Sequence, residues 1–359
     1  MKFHETSYEE YVHAVDQYNL HPEMKSIYAS FPKRLSEFGN LIVYGPPGVG
    51  KYTQVLTILR KYSPSDLKYD KRITCQTEKQ DLIYRISDIH YEIDMSLLGC
   101  NSKMLWHELY FQIVDIVAVK TEKIGIIVCK NFHMIHNELL DIFYSYIQHH
   151  NHPQSPVHIK FIILSEHVSF MPKNILDSFQ MIAVKRPTKD QYMQNIMHSA
   201  TSSRIVENDF VKQIHPRGAT MESKSKIQHI LKNIDSEYIM NIKELSSFGL
   251  IDRLEAIPKD HFNTICNNII QEMVNHDKLS FTQFRDTIYD ILVYNLDVPE
   301  CLWYVISHFI RDGFIPESCI PSIIDKSYVF LKQYNNNYRP IYHLESIFFY
   351  IITLIRRDP

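Results

Sequence analysis

A chain of 359 residues with 45% hydrophobic and 22% charged side chains is long enough for two or three domains with a sizeable core. A formal net charge of −3 argues against a general polyanion binder and leaves room for a local basic face. The six cysteines (75, 100, 129, 266, 301 and 319) stand far apart with no C-x-x-C pair, which speaks against a zinc site or a disulfide framework and suits an intracellular reducing compartment.

The opening MKFHETSYEEYV is acidic and polar, unlike a signal peptide, and residues 1–36 read as helical with breaks at Pro22 and Pro32. A short apolar strand, Leu41–Tyr44, then runs into Gly45-Pro46-Pro47-Gly48-Val49-Gly50-Lys51-Tyr52-Thr53 and a helix from Lys51 to about Tyr62. This is the layout of a phosphate-binding loop. Glycines let backbone N–H groups curl around phosphate oxygens, the new helix aims its positive end at them, and Lys51 adds a point charge. The usual motif, G-x-x-x-x-G-K-[ST], ends on a hydroxyl that holds Mg²⁺. Here Tyr52 stands there, too long for that task from that backbone. The loop is suited to holding phosphates and poorly suited to hydrolysing them.

Ile73–Gln76 and Tyr91–Asp94 alternate like strands, and Leu105 to about Val119 has helical spacing. The apolar runs Ile124–Cys129 and Ile159–Leu164 suit central strands covered on both faces, with a helix at Asn137–His149 between them and a shorter strand at Met181–Val184. His149, His150 and His152 precede Pro153 in what reads as a solvated loop. Strands alternating with helices behind a phosphate loop imply a doubly wound α/β nucleotide-binding domain. After Pro187 no convincing strand follows. The pattern gives helices at 190–200, 223–234, 259–276, 281–294, 299–312, 319–334 and 342–357. No stretch is apolar enough to span a membrane; residues 341–355 come nearest and carry His343 and Glu345.

Beyond the loop, three segments carry a resemblance. His90–Leu109, HYEIDMSLLGCNSKMLWHEL, is similar to the stretch "HLE-x-x-PSDxGNxDR-x-x-x-QEL", keeping Gly99, Asn101 and Glu108-Leu109. Ile341-Tyr342-His343-Leu344-Glu345 is similar to a collar-helix segment, with Tyr289–Leu292 and Pro299-Glu300 at equivalent spacing before it. The sequence therefore resembles the AAA+ small subunits of replication factor C clamp loaders over most of its length. Within them it is most like the one with a defective ATP site, called subunit 3 in animals and subunit 5 in yeast. The resemblance implies an α/β P-loop (AAA+) parallel sheet domain at 1–187, an all-α lid at 188–255 and an all-α collar at 256–359. It implies hetero-pentamer partners, a PCNA-like sliding clamp, primer–template DNA and a nuclear setting; the eroded motifs suit a fast-evolving, viral lineage with a cytoplasmic replication site as well.

The departures are as informative. Lys130-Asn131 stand where the acidic pair that binds Mg²⁺ and polarises water belongs. Glu166 aligns with the sensor asparagine, and Ser178 with the arginine finger of the Ser-Arg-Cys box. The W-x-x-K-Y-R-P box near the N-terminus is not recognisable. These losses point to a non-hydrolysing structural subunit of a clamp loader, with no catalytic residue and no Mg²⁺. Lys130 and Glu166 have two open readings: a structural ion pair plugging the site, or retained binding of ATP or ADP. Among lone cations in the α/β part (Lys79, Arg85, Lys103, Lys173), Lys103 is the candidate DNA contact, because the family stretch has arginine there. The helix at 342–355, apolar almost all round, reads as a collar contact between subunits.

Two other functions compete. GPPGVGKYTQ also resembles the loop of adenylate kinases, and Asp312-Gly313-Phe314-Ile315-Pro316 partly matches their D-G-F-P-R segment, without the arginine. A stand-alone AAA+ ATPase is the third reading, and the missing acidic pair weighs against it.

Overall fold

The computed structural model describes residues 6–76, 81–152, 154–188, 190, 191, 194, 261–294, 296–334 and 339–356. The chain divides into two compact units, residues 1–252 and 253–359. The helices expected at 190–200 and 223–234, and the lid as a whole, lie almost entirely outside the described residues.

In the first unit, α1 (Tyr8–Gln17) opens with a capping box, Ser7 and Glu10 satisfying each other's backbone N–H groups. α2 (Met24–Ser30) follows, between the two prolines that the sequence marks as breaks. Then come β1 (Leu41–Tyr44), α3 (Lys51–Arg60), β2 (Lys71–Gln76), β3 (Asp81–Ile86), β4 (His90–Asp94) and α4 (Ser102–Ala118). After them lie β5 (Ile124–Lys130), α5 (Asn137–His149), β6 (His158–Ser165), the short α6 (Lys173–Asp177) and β7 (Gln180–Ala183). The seven strands form one sheet in the order β2-β3-β4-β5-β6-β1-β7. From β4 to β7 every pairing is parallel.

The parallel core is doubly wound. In β1, Ile42 packs on one face with α4 and α5, while Leu41 and Val43 pack on the other with α1 and α3. Both faces are covered, so the central strands are apolar throughout. β1 lies between β6 and β7, the last of its described strands in chain order, so the chain changes direction across the sheet there. Ligand crevices of open α/β sheets form at such switch points, at the carboxyl ends of the strands. The loop after β1 opens at that place.

One edge departs from the all-parallel expectation. β2 and β3 form an antiparallel pair, and β3 runs antiparallel to β4. β3 was not anticipated because Ile83, apolar but 59% exposed, breaks the alternation that Leu82, Tyr84 and Ile86 would otherwise display.

The second unit is helical as described: α7 (His261–Val274), α8 (Phe281–Val293), α9 (Val298–Arg311), α10 (Ile320–Tyr334) and α11 (Pro340–Ile355). Asp297 caps α9 by accepting the Glu300 N–H at 2.8 Å, and Pro299 and Pro340 sit in first turns, where a missing N–H costs nothing. Ile347, Phe348, Ile351 and Ile352 of α11 are buried within this unit. Phe284 of α8 packs against Phe348 and Phe349, and Phe281 stacks on Phe349. The apolar character of α11, read from the sequence as a subunit contact, is thus accounted for by neighbours in its own chain. Buried Glu345, from the collar-like motif, pairs with Arg285 on α8.

Among the described residues no helix is long and apolar enough to cross a membrane.

Candidate nucleotide site

The loop has the backbone the sequence implies. Gly45 has φ +153°, and a Cβ there would lie 2.1 Å from the Val184 carbonyl oxygen, so only glycine fits between β1 and the segment after β7. Gly48 and Gly50 also have positive φ. Gly50, at the N-cap of α3 with φ +92°, has no side chain to cap the helix. The Lys51 ammonium donates to the carbonyls of Gly45 (2.7 Å) and Pro46 (2.6 Å), closing the loop on itself.

The segment before β1 braces the loop. Buried His21 lies with Nε2 2.7 Å from the Val49 carbonyl. A carbonyl only accepts, so Nε2 carries the proton. Gln54 of α3, also buried, accepts from the Tyr28 hydroxyl (2.6 Å) and donates to Asn19 (3.1 Å). Sequence reading missed these residues, since they match no motif at this end of the chain.

Tyr52 does not point a hydroxyl toward a phosphate-bound ion. It crosses to β4 and donates to Glu92 Oε1 at 2.7 Å. Its ring meets Tyr11 edge-on and lies 4.7 Å beneath the Lys130 ammonium. Burial pushes the phenol well up, with the Glu92 charge adding to it, so Tyr52 remains a donor. Glu92 is buried and also faces His90 Nε2 (3.3 Å) and the Lys130 ammonium (3.7 Å). Burial alone would raise its pKa; His90, Lys130 and Tyr52 together outweigh burial, and the net shift is downward. Glu92 is therefore an anion among donors.

Ser87 completes this chain of contacts. Its Oγ accepts the N–H groups of Ile89 (3.2 Å) and His90 (2.9 Å), so its own hydrogen serves His90 Nδ1, and Nε2 presents its proton to Glu92. The order Ser–His–Glu has the outline of a hydrolase triad, but Ser87 is buried beneath two backbone donors and cannot attack a substrate.

Position 130 lies beside Asp94 in the β4–β5 register. Lys130 reaches Glu92 rather than Glu166, so the expected Lys130–Glu166 pair gives way to another. Asn131, with φ +51°, donates to both Asp94 oxygens at 3.0 Å. Glu166 turns instead to His133: the Glu166 N–H reaches Nδ1 (3.4 Å), leaving Nε2 to face its carboxylate at 3.4 Å. Acids stand at the end of β4 and their partners at the end of β5, the reverse of the expected arrangement. The sequence signal was His-x-Glu-x-Asp at 90, 92 and 94: period two puts all three on one face of a strand, where buried polar groups require partners.

These residues do not fit Mg²⁺. The hydroxyl that would ligate it serves Glu92, that carboxylate faces an ammonium, and Asp94 is held by Asn131. Among the described residues, no group of three or more His, Cys, Asp or Glu could hold a metal ion.

The remaining candidates lie outside this cluster. Ser178 is exposed after α6 and donates to the Asn174 carbonyl at 2.6 Å. Lys103 is exposed in the first turn of α4, and Lys173 is exposed at the start of α6. Arg85 pairs with Asp70 and stacks on Tyr8 at 4.3 Å, a structural role rather than a surface one. Lys79 lies outside the described residues. Asp312-Gly313-Phe314 ends α9: Phe314 N–H reaches the Phe309 carbonyl (3.0 Å) and Gly313 N–H that of Ile310 (3.2 Å), with Gly313 at φ +75°. That is a Schellman cap, and it removes the kinase-like reading of this segment.

Strand order, switch point and loop together define a P-loop type α/β nucleotide-binding fold followed by a helical unit. No protein-family model matches the sequence. The chain is 22% identical over 344 residues to replication factor C subunit 5 of Neurospora crassa, covering 93% of this chain and 92% of that protein. It is 22% identical over 336 residues to replication factor C subunit 5 of Schizosaccharomyces pombe, covering 88% and 87%. It is a distant homologue of replication factor C subunit 5. Among solved structures, the RuvB Holliday junction branch migration motor of Thermotoga maritima overlaps 87% of the chain with TM-score 0.41 and 12% identity, covering 92% of that chain. A variant of the same RuvB overlaps 86%, with TM-score 0.44, 14% identity and 91% of that chain covered.

Proposed function

We propose that this chain is a non-hydrolysing AAA+ structural subunit of a sliding-clamp loader. It would hold ATP or ADP at residues 45–53 and help a hetero-pentamer place a PCNA-like clamp on primer–template DNA. The observation that carries the reading is a division within one site. The phosphate loop keeps its glycines and Lys51, while Tyr52 and Asn131 are committed to Glu92 and Asp94 and an ammonium, Lys130, stands over the Tyr52 ring. Hydrolysis needs a metal ligand, a water-orienting group and a charge stabiliser together; here Lys130, Asn131, Glu166 and Ser178 fill those places. Homology across most of the chain supports the loader assignment.

Residues 188–255 would be the lid and 256–359 the collar that joins the neighbouring subunits. Exposed Lys103 is the proposed DNA contact, a phosphate contact without base reading. The proposed setting is the nucleus, or a cytoplasmic replication site if the chain is viral. Co-expression with the other loader subunits and the clamp, followed by size-exclusion chromatography with light scattering, tests this. A stable hetero-pentamer is expected; a chain that stays monomeric with every partner overturns the proposal.

A further inference from the structure

We infer that the loop takes a nucleoside di- or triphosphate without a divalent cation, the Lys130 ammonium supplying the positive charge that the metal would bring. This rests on the reading of residues 45–53 as a nucleotide site and specifies the form of the ligand.

Three observations lead to it. First, the side chain at the metal-binding position is engaged: the Tyr52 hydroxyl donates to Glu92 at 2.7 Å, and its ring lies under Lys130. A cation entering there would displace a charge-assisted hydrogen bond and meet an ammonium of like charge. Second, Lys130 is loosely held. Its 3.7 Å separation from Glu92 Oε2 is longer than a hydrogen bond, and its side chain is 31% exposed. Glu92 keeps Tyr52 and His90 as donors on Oε1, so the carboxylate retains two hydrogen bonds when the Lys130 ammonium turns toward a phosphate, and gives up only the charge facing Oε2. Third, Lys51 rests on two neutral carbonyls, which are weaker acceptors than phosphate oxygens. One ammonium then closes the loop from the first residue of α3, and a second stands over the ring of the next residue, Tyr52. A polyphosphate chain bound between them meets positive charge on both sides with no ion carried in.

The test is calorimetric titration of the full chain with ADP and with ATP, in EDTA and in excess Mg²⁺. Wild type should bind equally well in both, or better in EDTA, since Mg²⁺ sequesters the free nucleotide. Lys130→Gln should weaken binding in EDTA by about tenfold or more, the scale of one lost charge contact. Lys130→Arg keeps the charge and should restore most of the affinity. Thermal melts check that each variant is folded. Lys51→Ala should abolish binding under both conditions. Wild-type binding that Mg²⁺ tightens tenfold or more, or a folded Lys130→Gln that binds as wild type does, overturns the inference and leaves the nucleotide site standing. A wild-type chain that binds neither nucleotide in either condition overturns the site itself.

Discussion

Tyr52→Phe removes one oxygen and almost no volume. It leaves ring packing on Tyr11 and beneath Lys130 intact, so the change isolates the 2.7 Å bond to Glu92. Glu92 Oε1 would retain only the 3.3 Å contact to His90, and Oε2 has no hydrogen-bond partner to compensate. Hydrogen bonds to buried charges are worth about 1.5–3 kcal/mol, which sets the expected loss at about 2 kcal/mol. For a unit of this size that is a melting shift of roughly 4–8 °C. The acid side should respond as well. Glu92 has a folded pKa below its ordinary 4.5, so its contribution is present above that value and lost as pH falls through the folded one. Removing Tyr52's hydroxyl moves the folded pKa up toward the unfolded one, so the part of the stability that acid removes becomes smaller. Urea unfolding followed by circular dichroism, from about pH 7 to about pH 4, measures both effects. A double-mutant cycle with Glu92→Gln should give a coupling of about 1 kcal/mol or more. A loss under about 0.5 kcal/mol together with zero coupling would refute the network as drawn.

Other outcomes follow from geometry. Gly45→Ala should cost about 3 kcal/mol or prevent folding, because its methyl meets the Val184 carbonyl, whereas Gly39→Ala, with nothing within 4 Å, should melt near wild type. His167 is half-buried beside His133 and its pKa is pushed down to about 4, loss of solvent being the main cause. Between pH 6.5 and 4 the unfolded chain takes up a proton that the folded one does not, so stability falls by about 3 kcal/mol across that window; His167→Phe should flatten the slope. Phe348→Ala should cost the helical unit about 3–5 kcal/mol in thermal unfolding, as a core residue does. Native thiol titration with an aromatic disulfide should modify Cys100 first and Cys319 more slowly; buried Cys75, Cys129, Cys266 and Cys301 should react only on unfolding.

The parts of the chain legible in advance were those whose determinants are local. The loop is written in fixed offsets of glycine and lysine over nine residues, and β5 and β6 in unbroken apolar runs. What escaped depends on partners distant in sequence. Tyr52 and Glu92 are 40 positions apart, and nothing near either one names the other. The Lys130–Glu166 pairing failed because strand register, not motif, decides reach: position 130 lies beside β4, while Glu166 follows β6 and meets His133 past the end of β5. The apolar sweep of α11 announced burial correctly but could not say whose surface would bury it.

The pairing of charges between β4 and β5 also constrains how the sequence can change. Suppose aspartate stood at position 130. The new anion would arrive beside Glu92 at the same moment that Glu92 lost its cation, and two buried carboxylates would share one pocket. Glutamate at 131 would likewise be set against Asp94, in place of the amide that now serves both its oxygens. Either substitution alone is less stable than the present state, so a change of sign here requires concerted substitutions on two strands. The packing ties position 130 to Glu92 and position 131 to Asp94, so the sign of charge on one strand sets what the other can carry.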